Sequence, residues 1–302
     1  MVFHSLHALS SKAERVLLYS DEWYGADTEP DEYIVDLLAL ARNVYDVRIK
    51  PIQLLGVDGE TNAGTIRTAS GFESSITKLR LWELEEYERI IHFDSDVVVQ
   101  HHLDELFFLP PTPMAMPREN WIDRSRDDWA LSSQLMVLQP DASETKAMWE
   151  TLQSWRLDPN MPSSQHYDNE LINNRFASSA LVLPHRPYLL QTNEIRMHEH
   201  EAYMGQSAGP STAIGWDPLR EIKQAKLIHF DDWPLPKPWV MWPSEGLAEM
   251  LPECDARAGS CFERDLWRGL YDDFRQRRKD VCKISTVPAP DWRQWKSDVD
   301  AI

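Results

Sequence analysis

Short apolar segments that alternate with helical ones constrain the fold of this chain most. Segments rich in β-branched and other apolar residues predict strands at 15–19, 47–51, 89–93, 135–138, 180–183 and 226–230. Helical periodicity lies between them, at 31–43, 76–84, 142–152 and 166–175. Strands that alternate with helices in this way predict an α/β fold with a mostly parallel sheet.

The C-terminal part of the chain has a different pattern. From residue 243 onward it is helical, and "FERDLWRGLYDDFRQRRKDVC" places apolar residues every three or four positions. We therefore predict a main domain at 1–242 and a C-terminal helical extension at 243–302 that packs on it. No stretch of about 18 apolar residues predicts a membrane span, and the first residues lack the pattern of a signal peptide.

The charge of the chain limits its partners. Its 302 residues include 31 Lys and Arg against 49 Asp and Glu, a formal net charge of −18. Nucleic-acid-binding surfaces need an excess of basic residues, so a nucleic-acid partner is disfavoured. An anionic substrate would need a local cation to receive it.

Two carboxylates interrupt an apolar segment in "IIHFDSDVVV". Side chains two apart on a strand share a face, so Asp94 and Asp96 point the same way. At the carboxyl end of a parallel strand they would face the crevice in which α/β proteins bind ligands. Converging carboxylates repel each other unless a cation lies between them, and a hard divalent ion is the simplest such cation. The alternative is that the acids only end the strand and cap the next turn.

A second group of polar residues lies in "KLIHFDDWPLPKPW". His229 lies near the end of another predicted strand, and Lys237 lies eight residues later. An imidazole added to two carboxylates shifts the metal preference from Mg²⁺ towards Mn²⁺, and a lysine can hold a phosphate as a point charge. The alternative is a histidine that only packs at a strand end, followed by a rigid loop.

Together these segments resemble a known family. The segments "ITKLRLWELEEYERIIHFDSDVVVQHHLDELFFLP" at 76–110 and "LIHFDDWPLPKPW" at 227–239 are similar to the diagnostic motifs of the family 8 retaining glycosyltransferases, the glycogenin and galactinol synthase group. Within that family, "LSSQLMVLQP", "SALVLPHRPY" and "DDWPLPKPW" look closest to fungal N-acetylglucosaminyltransferases. The resemblance implies a GT-A type, Rossmann-like nucleotide-diphospho-sugar transferase fold.

The resemblance implies a metal–diphosphate site. Asp94, Asp96 and His229 would bind Mn²⁺, or Mg²⁺, and the ion would bridge the diphosphate of a UDP-sugar. Ser95 would lie near the ribose, and Lys237 would contact the diphosphate. A metal and a lysine at this place stabilise the negative charge that grows on the leaving UDP.

The resemblance also implies residues around the donor sugar. Lys78 would reach towards the donor; the alternative is a solvated lysine on a helix face. Ser132 and Ser133 match an Asn and a Ser that contact the sugar in the family, whereas Gln134 replaces a glycine and alters the pocket. The alternative for both serines is ordinary polar residues at the entry to a strand.

Two residues in "QHYDNELIN" match the family's catalytic segment. Asp168 would take the position of the carboxylate near the anomeric carbon, and Asn169 that of the neighbouring amide. Retaining transfer needs either a nucleophile or a stabilised front-face path, and the sequence does not choose between them. The alternative for Asp168 is the N-cap of the helix that follows.

The chain departs from the family pattern in two places. The late motif of the family has a glycine where its backbone approaches the phosphate, and this chain has two extra residues and two acids there, Asp231 and Asp232. The family's first strand, which holds the uracil and the ribose, has no counterpart before "MVFHSL". We therefore expect a fold that lacks this strand.

These observations favour a metal-dependent retaining glycosyltransferase. It would transfer N-acetylglucosamine or glucose from a UDP-sugar to a glycan or another hydroxyl acceptor. The resemblance implies the Golgi lumen, whereas this sequence alone, without signal or anchor, predicts a soluble, cytoplasmic chain. Two alternatives stay open: a catalytically impaired scaffold with the same fold, and a phosphatase of the haloacid dehalogenase type, which also has D-x-D after a strand but no role for "KPW".

Overall fold

The fold is described from a computed structural model of the chain. It describes residues 1–24, 32–56, 72–119, 130–158, 160, 167–197, 199–205, 215–252, 254 and 261–300. The predicted helices at 31–43 and 166–175 each begin at a residue outside these ranges. Their described parts lie in α2 and α4.

The described part of the chain contains both strands and helices, although β3, β4, β5 and β6 follow one another without an α-helix between them. The strands are β1 Arg15–Ser20, β2 Val47–Ile52, β3 Ile90–Phe93, β4 Val97–Val99, β5 Met114–Pro117, β6 Leu135–Leu138, β7 Leu181–Leu183, β8 Leu189–Gln191 and β9 Leu227–His229. The α-helices are α1 Val2–Ala8, α2 Glu32–Tyr45, α3 Ala142–Leu157, α4 Asp168–Phe176, α5 His185–Tyr188, α6 Glu201–Met204, α7 Pro218–Gln224, α8 Ser244–Met250, α9 Phe262–Cys282 and α10 Trp292–Asp300. Longer 3₁₀ helices include Phe72–Glu83, Asp104–Phe108 and Thr192–Arg196.

The α/β class with parallel strand pairs is confirmed, and antiparallel pairs occur beside them. The strands in the described part of the chain form three sheets, with the orders β1-β2, β3-β6-β5-β7 and β4-β9-β8. Three of the six pairings are antiparallel: β3 with β6, β4 with β9 and β5 with β6. Parallel neighbours need a long crossover, whereas the described chain between β3 and β6 has only one 3₁₀ helix besides strands.

The first two strands form a sheet of their own. β1 and β2 pair in parallel from Arg15 opposite Val47 to Ser20 opposite Ile52. Within the described ranges neither strand pairs with the second sheet. That the fold lacks the first strand of the family stays a prediction.

One apolar cluster fixes the helices that carry two predicted site residues. Trp82, in the 3₁₀ helix Phe72–Glu83, is fully buried and stacks on Phe176 of α4 with ring centroids 5.7 Å apart. Lys78 lies on the first of these helices and Asp168 begins the second. Aromatic packing therefore holds the two elements together and sets the distance between these charged side chains.

The C-terminal helices pack on the loop that follows β9. The aromatic residues Trp267, Tyr271 and Phe274 of α9 are buried in one cluster with Phe230 and Trp242. The ring centroids of Phe230 and Tyr271 lie 4.8 Å apart. Helix α9 thus packs on the loop after β9, while the division into a domain at 1–242 and an extension at 243–302 stays a prediction.

The cysteines lie in the C-terminal part of the chain. Cys254 and Cys261 form a disulfide, and Cys282 is a free thiol. Among the described helices, none combines the length and the apolar character that a membrane crossing requires.

A substitution at Gly246 tests the packing of the last helix. A Cβ at this position in α8 would lie 2.7 Å from the Trp292 ring of α10, closer than real contacts allow. We expect Gly246→Ala to lower the free energy of unfolding by about 1–3 kcal/mol, because the ring must move. Urea unfolding followed by tryptophan fluorescence measures it.

The matched control for this substitution is Gly269→Ala in α9. Nothing lies within 4 Å of a Cβ there, so alanine should raise the free energy of unfolding by about 0.5–1 kcal/mol through its better helix propensity. Equal effects of the two substitutions would contradict the close approach of Trp292 to Gly246.

Candidate active site

The carboxylates of "DSD" lie in the turn that joins two sheets. β3 pairs with β6 and β4 pairs with β9, so residues 94–96 connect the second sheet to the third. The Asp94 N–H donates to the carbonyl of Gln134 at 3.2 Å, and the Asp96 carbonyl accepts from the N–H of Phe230 at 3.0 Å. These two bonds fix the turn on both sides. Ser95, the middle residue of this turn, is exposed.

Strand register brings His229 to the two carboxylates. Val97 lies opposite His229 in the β4–β9 pair. The Nε2 atom of His229 lies 3.1 Å from Asp96 Oδ1 and 3.7 Å from Asp94 Oδ2. One ligand atom from each of the three residues lies within 4.8 Å of the others. Two carboxylate oxygens and an imidazole nitrogen are a donor set that suits a divalent cation such as Mn²⁺.

Charge interactions dominate the ionisation of this group. Burial would raise the pKa of Asp96, but the charges of His229 and Lys237 outweigh it and lower the pKa to about 2. Burial would likewise raise the pKa of Asp94, which the charge of Lys78 and hydrogen bonds with His229 and His92 hold well below its usual range. Burial would lower the pKa of His229, whereas Asp96 and Asp94 raise it to about 9. Both carboxylates are therefore ionised at neutral pH.

Each carboxylate of the pair also contacts a lysine. Lys237 Nζ lies 2.7 Å from Asp96 Oδ2 and donates to the carbonyl of Phe230 at 2.7 Å. Lys78 Nζ lies 2.9 Å from Asp94 Oδ1 and 2.8 Å from Asp168 Oδ2. The side chain of Lys78 is 18% exposed, so the alternative of a solvated helix-face lysine is wrong. Two lysine ammonium groups thus lie beside the carboxylates of Asp94 and Asp96, and such groups can hold a phosphate as point charges.

The residues predicted around the donor sugar meet next to Lys78. Ser133 Oγ donates to Asp168 Oδ2 at 2.8 Å, and the Ser133 N–H donates to Asn169 Oδ1 at 2.9 Å. Helix α4 has Tyr167 as its N-cap, without a side-chain cap, so Asp168 is not the capping residue. The Oγ of Ser132 accepts a bond from the N–H of Gln134 at 3.3 Å. Ser133, Asp168 and Asn169 therefore form one connected group with Lys78, whereas Ser132 is buried and binds the backbone.

Two departures from the family motifs meet in space. Gln191 Nε2 donates to Gln134 Oε1 at 3.2 Å and to Asp231 Oδ2 at 3.0 Å. Sequence reasoning noted Gln134 and Asp231 separately and missed Gln191. This residue ends β8, whose three residues are too few for a periodic pattern.

A buried carboxylate anchors the loop between β9 and α8. The side chain of Asp232 has no exposed surface and pairs with Arg196. Its Oδ2 accepts bonds from Thr192 Oγ1 at 2.5 Å, Trp267 Nε1 at 3.0 Å and Tyr271 OH at 2.6 Å. Helix α9 and the 3₁₀ helix Thr192–Arg196 are thus tied to the loop between His229 and Lys237.

A further carboxylate, Glu119, lies beside Asn169. Its Oε1 accepts a bond from Asn169 Nδ2 at 2.9 Å. Burial raises the pKa of Glu119 to about 7, and the charges of Glu170 and Asp231 add to this effect. Glu119 was not predicted as a site residue. The only sequence signal was its position two residues after the strand-like "MAMP".

The arrangement of strands and the carboxylate–imidazole cluster define a class of protein. The chain has the GT-A fold of glycosyltransferases. It is similar to the structure of the glycosyltransferase GlyE from Streptococcus pneumoniae, with a TM-score of 0.50 and 14% sequence identity, over 92% of this chain and 59% of that one. No family model matches the chain.

Sequence comparison then shows the family. The chain is 41% identical over 295 residues to glucose N-acetyltransferase 1 of Aspergillus fumigatus. The aligned region covers 95% of this chain and 74% of that protein. It is 37% identical over 302 residues to the protein of the same name in Gibberella zeae. This second alignment covers 98% of this chain and 62% of the relative. The chain belongs to this fungal family, and the predicted resemblance is confirmed.

Proposed function

We propose that the chain transfers a sugar from a UDP-sugar to a hydroxyl acceptor with a divalent metal. One observation carries this proposal: the connected group of Lys78, Asp94, Asp96, His229 and Lys237, in which two cations flank three metal-ligand side chains. Such a group can neutralise a diphosphate while its bond to the sugar breaks. The GT-A fold supports a glycosyltransferase over the phosphatase alternative.

Each residue has a defined task in this proposal. Asp94, Asp96 and His229 would hold Mn²⁺, or Mg²⁺, and the bound ion would act as a Lewis acid on the diphosphate. Lys237 would bind the diphosphate oxygens. Lys78 holds Asp168 by its ion pair at 2.8 Å and so orients this carboxylate for the anomeric carbon.

The donor and the outcome at the anomeric carbon are part of the proposal. The two fungal relatives are both called glucose N-acetyltransferase 1, a name that refers to glucose and to an N-acetyl group. They support UDP-N-acetylglucosamine as the first donor to test and UDP-glucose as the second. The resemblance to family 8 supports retention of configuration, with Asp168 and Asn169 at the sugar, Ser95 near the ribose, and a glycan acceptor in the Golgi lumen.

A thermal-shift panel tests the donor site. UDP, UDP-N-acetylglucosamine and UDP-glucose are each added with Mn²⁺ and with EDTA. Because a ligand that binds only the folded state stabilises it, we expect the unfolding midpoint to rise by about 5 °C at about 100 times the Kd, with Mn²⁺ only. ADP-glucose with Mn²⁺ is the control. Equal shifts with EDTA would contradict the metal site.

Release of UDP separates the enzyme from the scaffold. A glycosyltransferase with bound donor and Mn²⁺ transfers the sugar slowly to water, so UDP accumulates without an added acceptor. A chain that binds UDP-sugars but releases no UDP, with or without acceptors, would support the scaffold.

A further inference from the structure

Three carboxylates that the proposed donor site does not use lie near Asn169. They are Glu119, which accepts the Asn169 amide bond at 2.9 Å, and Glu170 and Asp231, whose charges act on Glu119. Glu119 lies in the segment just after β5, Glu170 lies in helix α4, and Asp231 lies in the loop after β9. The fold thus brings them together although they are far apart in the sequence.

The Asn169 side chain connects Glu119 to the catalytic group. Its Oδ1 accepts the N–H of Ser133 at 2.9 Å, which leaves Nδ2 to donate to Glu119. Ser133 Oγ in turn donates to Asp168 at 2.8 Å. Glu119 is therefore one amide away from the residues proposed to face the sugar. Asp96 and Lys237 lie at the other end of this network, where the diphosphate would bind.

Glu119 differs from the other acids of the site in its charge balance. Asp94 and Asp96 are each paired with a lysine. In the part of the chain that the structure describes, no lysine, arginine or histidine pairs with Glu119 or Glu170, and Oε2 of Glu170 is buried without a partner. Burial raises the pKa of both acids, to about 7 in Glu119. A carboxylate in this state exchanges protons near neutral pH, as a general base must.

We propose that Glu119 is a further catalytic residue that takes the proton of the attacking acceptor hydroxyl. This inference rests on the proposed function. In the step, the acceptor O–H bond and the bond from the anomeric carbon to its leaving oxygen break, and a new bond forms between that carbon and the acceptor oxygen. The bonding electron pair leaves with the departing group, and the proton goes to the Glu119 carboxylate and later to water.

The test compares wild type with Glu119→Gln in the release of UDP from UDP-N-acetylglucosamine at saturating Mn²⁺. Water is the acceptor in this assay and loses a proton in the same way. Glutamine keeps the bond from Asn169 but cannot take a proton. We expect the rate to fall by about 100-fold while the Kd of UDP with Mn²⁺, measured by calorimetry, stays within about twofold.

The pH profile gives a readout that a structural role would not move. The wild-type rate should fall as the pH drops below about 7, since Glu119 becomes protonated, and the Glu119→Gln variant should lack this limb. Glu119→Asp keeps a carboxylate and should keep the limb at a lower rate, which also covers the case that the glutamine variant does not fold. Glu150→Gln, at an exposed position on α3, is the control and should match wild type.

The outcomes separate this inference from the proposed function. An unchanged rate and an unchanged pH limb in Glu119→Gln would overturn the role of Glu119 and leave the donor site intact. A wild-type chain that neither binds UDP with Mn²⁺ nor releases it from a donor would overturn the proposed function itself.

Discussion

Replacing Asp96 by alanine is expected to abolish Mn²⁺-dependent binding of UDP. Its carboxylate lies 3.1 Å from His229 Nε2 through one oxygen and 2.7 Å from Lys237 Nζ through the other. The substitution removes a proposed metal ligand, leaves Lys237 without its carboxylate partner and leaves His229 with Asp94 alone, at 3.7 Å. These effects weaken the site, so we expect affinity for UDP with Mn²⁺ to fall more than about 100-fold.

Isothermal titration of UDP with Mn²⁺ and with EDTA measures this loss. Asp273→Ala is the control, because Asp273 is half-exposed on α9 and pairs only with Arg277 at 2.8 Å among the contacts described. The control should bind like wild type. Unchanged binding in Asp96→Ala would falsify the assignment of the metal site.

The sequence singled out Asp94, Asp96 and His229, and the structure brings one ligand atom of each within 4.8 Å of the others. Asp94, Asp96 and His229 stood out because carboxylates seldom interrupt an apolar strand without a charge to meet them. Their convergence, however, depends on the antiparallel register that places Val97 opposite His229. The sequence predicted parallel strands, so it could name these ligands through the resemblance but could not derive how they meet.

Residues whose proposed role depends on a contact with another side chain of the same chain were harder to predict. Glu119 contacts the candidate site through Asn169, whose Oδ1 accepts the Ser133 N–H and whose Nδ2 donates to Glu119. Lys78 was open between a donor contact and a surface residue, and its burial between Asp94 and Asp168 decides against the surface. Single side chains of this kind have no periodicity, so no pattern in the sequence reports their burial.

The errors in the fold come from short strands. β4, β5 and β8 were not predicted, and they have only three or four residues each, fewer than an alternating pattern needs to be recognised. One of them, β8, carries Gln191, which donates to Asp231. Longer elements such as α9 were predicted well, because their apolar face repeats over several turns.

Replacing Asp232 by asparagine is expected to have the largest effect on stability. The carboxylate is fully buried, pairs with Arg196 and accepts bonds from Thr192, Trp267 and Tyr271. Asparagine has nearly the same shape but removes the negative charge, so Arg196 loses its counter-ion in a place with little water. We expect the free energy of unfolding to fall by about 3–5 kcal/mol, measured by urea unfolding.

The matched variant is Tyr271→Phe, which removes one hydrogen bond to the same carboxylate and keeps the ion pair. It should lower the free energy of unfolding by only about 1–3 kcal/mol. Similar losses in the two variants would show that the charge of Asp232 contributes little. No loss in either would show that the loop is held by apolar packing around Phe230 alone.

Asp232→Asn should also weaken the proposed metal–diphosphate site, although Asp232 is not one of the residues proposed to bind the metal or the diphosphate. The loop it anchors carries His229 on one side and Lys237 on the other, and carbonyls of this loop accept bonds from Trp295 and Arg275 of the C-terminal helices. If these helices position the loop, Asp232→Asn should lower affinity for UDP with Mn²⁺ by about tenfold under conditions where the variant is still folded. Calorimetry on the folded variant measures this affinity. Unchanged affinity would mean that the C-terminal extension stabilises the protein without positioning the site.

A loss of affinity would instead make the 243–302 segment part of the active site, because its helix α9 holds the loop between His229 and Lys237 through Asp232.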